Sequence, residues 1–174
     1  MQRKFWIMKK ILFGLAFVGL FISCKSDTKK APPKTEETQS LSSTKFGDVA
    51  ALPQETLKKL FDEATYIDYI FYDLPFSVSQ DDQPSIHANL NLISPEKMGP
   101  ISSSCKALGR EFFHIGGDIA LEAEIYFQEG CYGYVFYKGN KLMYANKISA
   151  AGMKFYGNMV AQGKQMQKQL QSGG

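Results

Sequence analysis

The chain has 174 residues, of which 44% are hydrophobic and 13% aromatic, and its formal net charge at pH 7 is +3. Four of its 20 basic residues lie within the first ten positions, which leaves 16 basic and 17 acidic residues and a net charge of −1 for the rest. A near-neutral chain gives no indication of a nucleic-acid partner, and its length suits one domain. The four early basic residues are Arg3, Lys4, Lys9 and Lys10.

The N-terminus has the organisation of a secretory signal. Its basic residues precede an apolar run of 12 residues, 11–22. Since a bilayer core of about 30 Å needs roughly 20 apolar residues, this run predicts a signal peptide rather than a transmembrane helix. Met8, directly before two lysines, is an alternative start to Met1.

The end of the apolar run resembles the lipobox of bacterial lipoprotein precursors. Phe21 stands where that family usually has Leu, and the small residue Ser23 directly precedes Cys24. The resemblance covers residues 1–25 and implies cleavage before Cys24, followed by lipidation of its sulfur and acylation of its amino group. It further implies a membrane anchor in the cell envelope, and Lys25 in the next position favours the outer membrane. An ordinary secretory signal is the alternative interpretation.

The segment after the anchor predicts a tether. Residues 25–44 are rich in Ser, Thr, Lys and Glu, contain Pro32-Pro33, and hold Leu41 as their one large apolar residue. Such a composition buries too little apolar surface to offset chain entropy, and a flexible coil of this length spans about 25 Å. We therefore divide the chain into a signal peptide (1–23), lipidated cysteine and tether (24–44), domain (45–162) and frayed tail (163–174).

The domain begins with two predicted helices. Pro53 suits a first helical turn, and apolar residues follow at helical spacing, so we predict a helix to about Tyr72, ended by Pro75. A second, shorter helix is predicted from Asp81 or Asp82 to Pro95, and residues 95–104 read as a loop. The stripe of the first helix is Leu57, Leu60, Phe61, Ala64, Ile67 and Phe71.

Four strands and a last helix complete the predicted domain. The strands are Arg110 to Ile115, Ile119 to Phe127, Cys131 to Lys138 and Lys141 to Lys147, joined by short turns that contain glycine. Ser149 is placed to cap a final helix. The predicted fold class is α+β, a four-stranded antiparallel β-meander with helices mainly on one face, in the order α-α-β-β-β-β-α.

Residues suited to catalysis or metal binding are sparse. The chain has two histidines, His87 and His114, and lacks the short motifs of known nucleophile, zinc and phosphate sites. We therefore predict no catalytic residues, cofactor or metal ligands. With Cys24 lipidated, Cys105 and Cys131 remain as a pair in an oxidising compartment, which predicts a disulfide. Two buried free thiols, or a metal or redox site, are the alternatives.

The third predicted strand gives the candidate binding face, which depends on one hairpin. A three-residue loop at Gln128-Glu129-Gly130 places its aromatic residues beside two glutamates on an exposed face, whereas a two-residue loop, Glu129-Gly130, sends them into the core. Since burying three aromatic side chains outweighs a turn penalty of about 1 kcal/mol at Glu129, we favour the second register. The face in the first register comprises Tyr126, Tyr132, Tyr134, Phe136, Glu122 and Glu124.

These patterns predict a lipid-anchored envelope protein that acts as a non-enzymatic binding or assembly module. Its expected partners are the membrane, through the anchor, and an envelope protein. The alternatives are a metal-binding or redox lipoprotein that uses Cys105 and Cys131, or an enzyme of unrecognised class with an acidic cleft around Asp118, Glu122 and Glu124.

Overall fold

A seven-stranded antiparallel sheet forms the centre of the fold, which we describe from a computed structural model. The structure describes residues 43–172, so the predictions for the signal peptide, Cys24 and nearly all of the tether lie outside the described residues. The elements in chain order are β1 (Thr44–Lys45), α1 (Gln54–Glu63), β2 (Ala64–Phe71), β3 (Ser77–Gln80), α2 (Gln83–Leu90), β4 (Ile93–Lys97), β5 (Ile101–Ser102), β6 (Ala107–Ile115), β7 (Asp118–Gln128), β8 (Cys131–Lys138), β9 (Lys141–Ile148) and α3 (Ala150–Ser172).

The predicted four-stranded architecture is wrong, although the α+β class is correct. The order across the large sheet is β3-β2-β6-β7-β8-β9-β4, and β1 pairs with β5 in a separate two-stranded sheet. The predicted meander is therefore the central part, β6 to β9, of a wider sheet. Three further strands extend it, two at one edge and one at the other.

The first predicted helix is in reality a helix followed directly by a strand. α1 ends at Glu63, and Ala64 adopts an extended conformation (φ −66°, ψ 131°). From there β2 pairs antiparallel with β6, with Ile67 opposite Phe113 and Tyr69 opposite Glu111. Alternate residues of β2 face the helices, and the intervening ones face the opposite side of the sheet.

Two of the helix starts are confirmed. The Asp82 carboxylate accepts a hydrogen bond from Ser85 N at 2.9 Å at the start of α2, where a proline occupies the first turn. The Ser149 hydroxyl accepts one from Gly152 N at 3.1 Å at the start of α3. Both contacts satisfy backbone N–H groups that have no partner within the first helical turn.

The last helix, α3, extends into the segment that we predicted as a frayed tail. α3 continues through Ser172, well beyond the predicted domain end at residue 162. Gly163 is buried beside Leu74, and Gln167 Nε2 donates to Asp73 O at 2.6 Å. These contacts tie the last turns of α3 to the segment between β2 and β3. No helix within residues 43–172 combines the length and the apolar character that a bilayer crossing needs.

The two faces of the sheet are covered differently. All three helices contribute to the larger core on one face, which we call the helix face. On the other face a smaller cluster lies under the segment that we call the cap, residues 43–50 and 98–105. Met98 of the cap lies over β8 at Gly133, where a Cβ atom would stand only 1.9 Å from its sulfur. The cap covers the β8–β9 side, and the described residues leave the β2–β6 side of this face uncovered.

Candidate binding face

The hairpin between β7 and β8 has the two-residue loop that we favoured. Phe127 lies opposite Tyr132 and Gln128 opposite Cys131, so Glu129 and Gly130 form the turn. Gly130 supplies the positive φ, +73°, and Phe46 is the one non-glycine residue between 43 and 172 with a positive φ. The expected penalty at Glu129 is therefore absent, because the glycine takes the left-handed conformation.

This register divides the predicted binding face between the two sides of the sheet. Tyr134 and Phe136 are fully buried on the helix face, where Tyr134 OH lies 2.8 Å from Tyr156 OH. Tyr132 belongs to the same side but is 38% exposed, with its ring edge against Phe127. These three aromatic residues cannot form a surface with Glu122 and Glu124, because adjacent positions of a strand point to opposite faces.

The remaining predicted residues meet on the other face, around Arg110. Its guanidinium donates to Glu122 at 3.2 Å and to Glu124 at 3.0 Å. The hydroxyls of Tyr126 and Tyr137 both donate to the second oxygen of Glu124, at 2.9 and 3.2 Å. The arginine side chain is 33% exposed and the two glutamates 15% and 19%, so this network is half-buried.

Arg110 and the two tyrosines of this network keep their protons near neutral pH. Burial, followed by the neighbouring Glu124, raises the pKa of Tyr137 to about 12, and the same two causes raise the pKa of Tyr126. Burial lowers the pKa of Arg110, but Glu124, Tyr72 and Glu122 together raise it above its usual value. The arginine therefore stays charged and both hydroxyls keep their protons, which holds every hydrogen bond of the network in one direction.

Exposed apolar side chains flank the network. Ile70 lies directly opposite Arg110 in the β2–β6 register and is 48% exposed, and Tyr72, just after β2, is 52% exposed. In the next row across the strands, Phe112 lies between Asp68 and Glu122. We call this surface the open face; it comprises Asp68, Ile70, Tyr72, Arg110, Phe112, Glu122, Glu124 and Tyr137.

The cap supports one end of the open face. Cys105 and Cys131 form the predicted disulfide, with their Cα atoms 5.9 Å apart, which joins the cap to the start of β8. Lys45 Nζ donates to Cys105 O at 2.9 Å and to Tyr126 OH at 3.4 Å. Tyr126 in turn donates to Glu124, so the cap and the ion network share one hydrogen-bonded chain.

The structure also bears on the alternative prediction of a metal or redox site at Cys105 and Cys131. Each of the two domain cysteines is bonded to the other, so neither offers a thiolate in this form. Within residues 43–172 no three His, Cys, Asp or Glu side chains gather in an arrangement that could hold a metal ion.

Arg110 was missing from the predicted face because of a β-bulge, and Tyr137 because it lies opposite Glu122 only in the two-residue register. Ile115 pairs with Asp118 across the β6–β7 turn, and extending that register would place Arg110 opposite an alanine. A bulge between Phe113 and His114 shifts the pairing by one residue and sets Arg110 opposite Glu124. The opposite charges on two adjacent predicted strands were the available signal, but the bulge that brings them together leaves no mark in the sequence.

Comparisons with protein families, with curated proteins and with solved structures found no match to this chain.

Proposed function

We propose that this protein is a lipid-anchored, non-enzymatic binding or assembly module of the cell envelope, and that its open face docks a protein partner. The observation that carries the proposal is the exposure of two large apolar side chains, Ile70 and Tyr72, beside a half-buried ion network. Covering these apolar side chains with a partner removes them from water, which favours binding.

The charges of the open face favour a basic partner. By residue type it holds one basic side chain, Arg110, and three acidic ones, Asp68, Glu122 and Glu124, a formal net charge of −2. Asp68 Oδ1 already accepts a hydrogen bond from Ser79 at 2.7 Å, but its side chain pairs with no cation in the described residues. We therefore propose a partner segment that presents Lys or Arg side chains next to an apolar side chain.

The open face is tested by cross-linking at a defined position. A photoactivatable amino acid at position 72 should give one discrete adduct in intact cells, and Ile70→Asp should reduce its yield about tenfold or more. Leu170→Asp is the matched control, because it puts the same charge at an apolar residue of α3 that is 69% exposed. Its adduct yield should equal that of the unmodified chain.

The cross-linked segment of the partner decides its chemistry. Mass spectrometry should find Lys or Arg within that segment. The yield of the adduct should fall when the ionic strength before irradiation is raised. Equal losses in both variants, or an adduct with an acidic segment, would refute the open face as this docking surface.

The anchor is tested separately. We expect Cys24→Ser to leave an unprocessed precursor, because lipidation of that sulfur precedes cleavage in the precursors that residues 1–25 resemble. For the mature chain without substitutions, mass spectrometry should show an acylated N-terminal cysteine. Fractionation should place that chain in the outer membrane. Ser26→Ala is the control and should be processed normally; a free N-terminal cysteine or a different cut site would contradict the lipid anchor.

A further inference from the structure

A cavity of about 390 Å³ lies on the helix face, between α1 and the ends of the β6–β7 and β8–β9 hairpins. Its floor is apolar and buried: Leu60 is 2% exposed and Leu121 5%. Ile119 also lines the cavity and is 50% exposed. The remaining apolar side chains that line it are those of Ile115, Ala120, Met143 and Tyr144.

The charged residues of this cavity all have one sign. Lys59 of α1 and Lys138 at the end of β8 lie in its lining, which contains no Asp or Glu. Lys138 forms no salt bridge within residues 43–172, and Lys59 Nζ lies 3.9 Å from Glu63 Oε2, both side chains being more than half exposed. An exposed pair at that distance contributes little free energy, so both ammonium groups remain able to bind an anion.

We propose that this cavity binds an anion with a single apolar chain, of the class of free fatty acids. The chain would lie on Leu60, Leu121 and Ile119, and the carboxylate would lie between Lys59 and Lys138. Cavities that bind small molecules enclose about 300–1,000 Å³, with mostly apolar walls and a few polar groups that fix orientation. At the lower end of that range, the cavity suits one chain better than the two chains of a phospholipid.

This site is separate from the open face, since it lies on the opposite side of the sheet. An acyl chain with an anionic head could come from a free carboxylate or from an anionic phospholipid, and the two sources are separated by the probe. We would reconstitute the full chain in phosphatidylcholine vesicles and add either a diazirine-labelled dodecanoate or a diazirine-labelled phosphatidylglycerol. After irradiation, mass spectrometry locates the labelled residues.

We expect the diazirine-labelled dodecanoate to label the segment 115–121 and residues 143–144. Unlabelled dodecanoate should reduce this labelling, whereas dodecanol should leave it unchanged. Lys59→Glu with Lys138→Glu should reduce this labelling about tenfold or more, because it replaces both cations of the cavity. The matched control is Lys58→Glu with Lys141→Glu, which changes the net charge equally on the same helix and hairpin but leaves the lining intact. Its labelling should be unchanged.

Three outcomes would overturn the proposal. The first is labelling that spreads evenly over the surface or falls equally in both double variants. The second is competition by dodecanol as strong as that by dodecanoate, since the lysines would then have no role. The third is labelling of these residues by phosphatidylglycerol but not by dodecanoate, which would assign the lysines to a membrane surface.

Discussion

The free energy of unfolding should fall as the pH rises from about 4.5 to about 8, because of one buried carboxyl group. Glu111 is fully buried in the helix-face core, and burial raises its pKa from 4.5 to about 8. Between these pH values the folded chain holds a proton that the unfolded chain releases, so stability is complete below about 4.5 and is lost up to about 8. At about 1.4 kcal/mol per pKa unit, the loss is on the order of 4 kcal/mol.

The surroundings of Glu111 explain the shift. Neither carboxyl oxygen has a partner that meets hydrogen-bond geometry among the described residues, and Asn89 Oδ1 is also unpaired. The Asn89 and Tyr69 side chains lie close enough to lower the pKa, but burial is the larger effect. Asn89 Nδ2 donates to both Tyr69 OH and Gln80 Oε1, so its donors are already used. A protonated Glu111 avoids placing an unpaired charge in this core.

Glu111→Gln isolates this effect, because the amide does not titrate. Chemical denaturation measures the free energy of unfolding of both proteins across pH 4.5 to 8. The difference between the two values should change by on the order of 4 kcal/mol over this range. Taking the difference removes the contributions of other titrating groups, including Asp82 and Glu96, whose lowered pKa values act below this window. Parallel pH profiles would mean that Glu111 titrates as it does in the unfolded chain.

Replacing both cysteines of the disulfide with alanine should lower the free energy of unfolding by about 3 to 4 kcal/mol. The bond closes a loop across 26 positions, and in the chain-entropy model a cross-link of that span restricts the unfolded chain by this amount. Both cysteines are 4% exposed, so the loss of their packing adds to the effect. Urea denaturation of Cys105→Ala with Cys131→Ala measures it.

Reductant supplies the matched control for this experiment. It should destabilise the unmodified chain by a similar amount and leave the double variant unchanged. After reduction, the rate of amide hydrogen exchange should rise first in the cap. β1 and β5 are held there by two residue pairs and by the cluster that contains the disulfide. Equal denaturation midpoints with and without reductant would refute a stabilising role for the bond.

The failure to predict β2 has an identifiable cause. Leu57, Leu60, Ala64, Ile67 and Phe71 fit a period near 3.6, but the last part of the run fits a period of two equally well. β6, whose paired residues lie 38 to 51 positions later in the chain, decides between them by pairing with that part. Such long-range pairing overrides a local periodic pattern. By contrast, the turns at Glu129-Gly130 and Gly139-Asn140 are local, and the strands beside them were predicted nearly to the residue.

The two edge strands and the buried glutamate gave weaker signals. β3 is Ser-Val-Ser-Gln, too polar and too short to be recognised, and β4 contains Pro95, which reads as a loop but is compatible with an edge position. Glu111 lies within a predicted strand on the same side as Phe113, but an alternating pattern does not predict a carboxyl group on the buried side. The bulge adds one residue to β7, Ala120, and thereby sets Arg110 rather than Glu111 opposite a glutamate.

The attachment of the cap also determines how the domain would carry mechanical load. The described chain starts at Ser43, where its hydroxyl lies 2.5 Å from that of Ser103 and its carbonyl accepts from Ser103 N at 2.9 Å. A pull on this end acts first on the short β1–β5 pairing, which hydrogen bonds alone would release at low force. Once β1 separates from β5, the load runs along residues 46–53 to α1 and β2, and the disulfide between Cys105 and Cys131 lies outside that path. The disulfide therefore keeps the second half of the cap, residues 98–105, joined to β8 while the first half, residues 43–50, is pulled away.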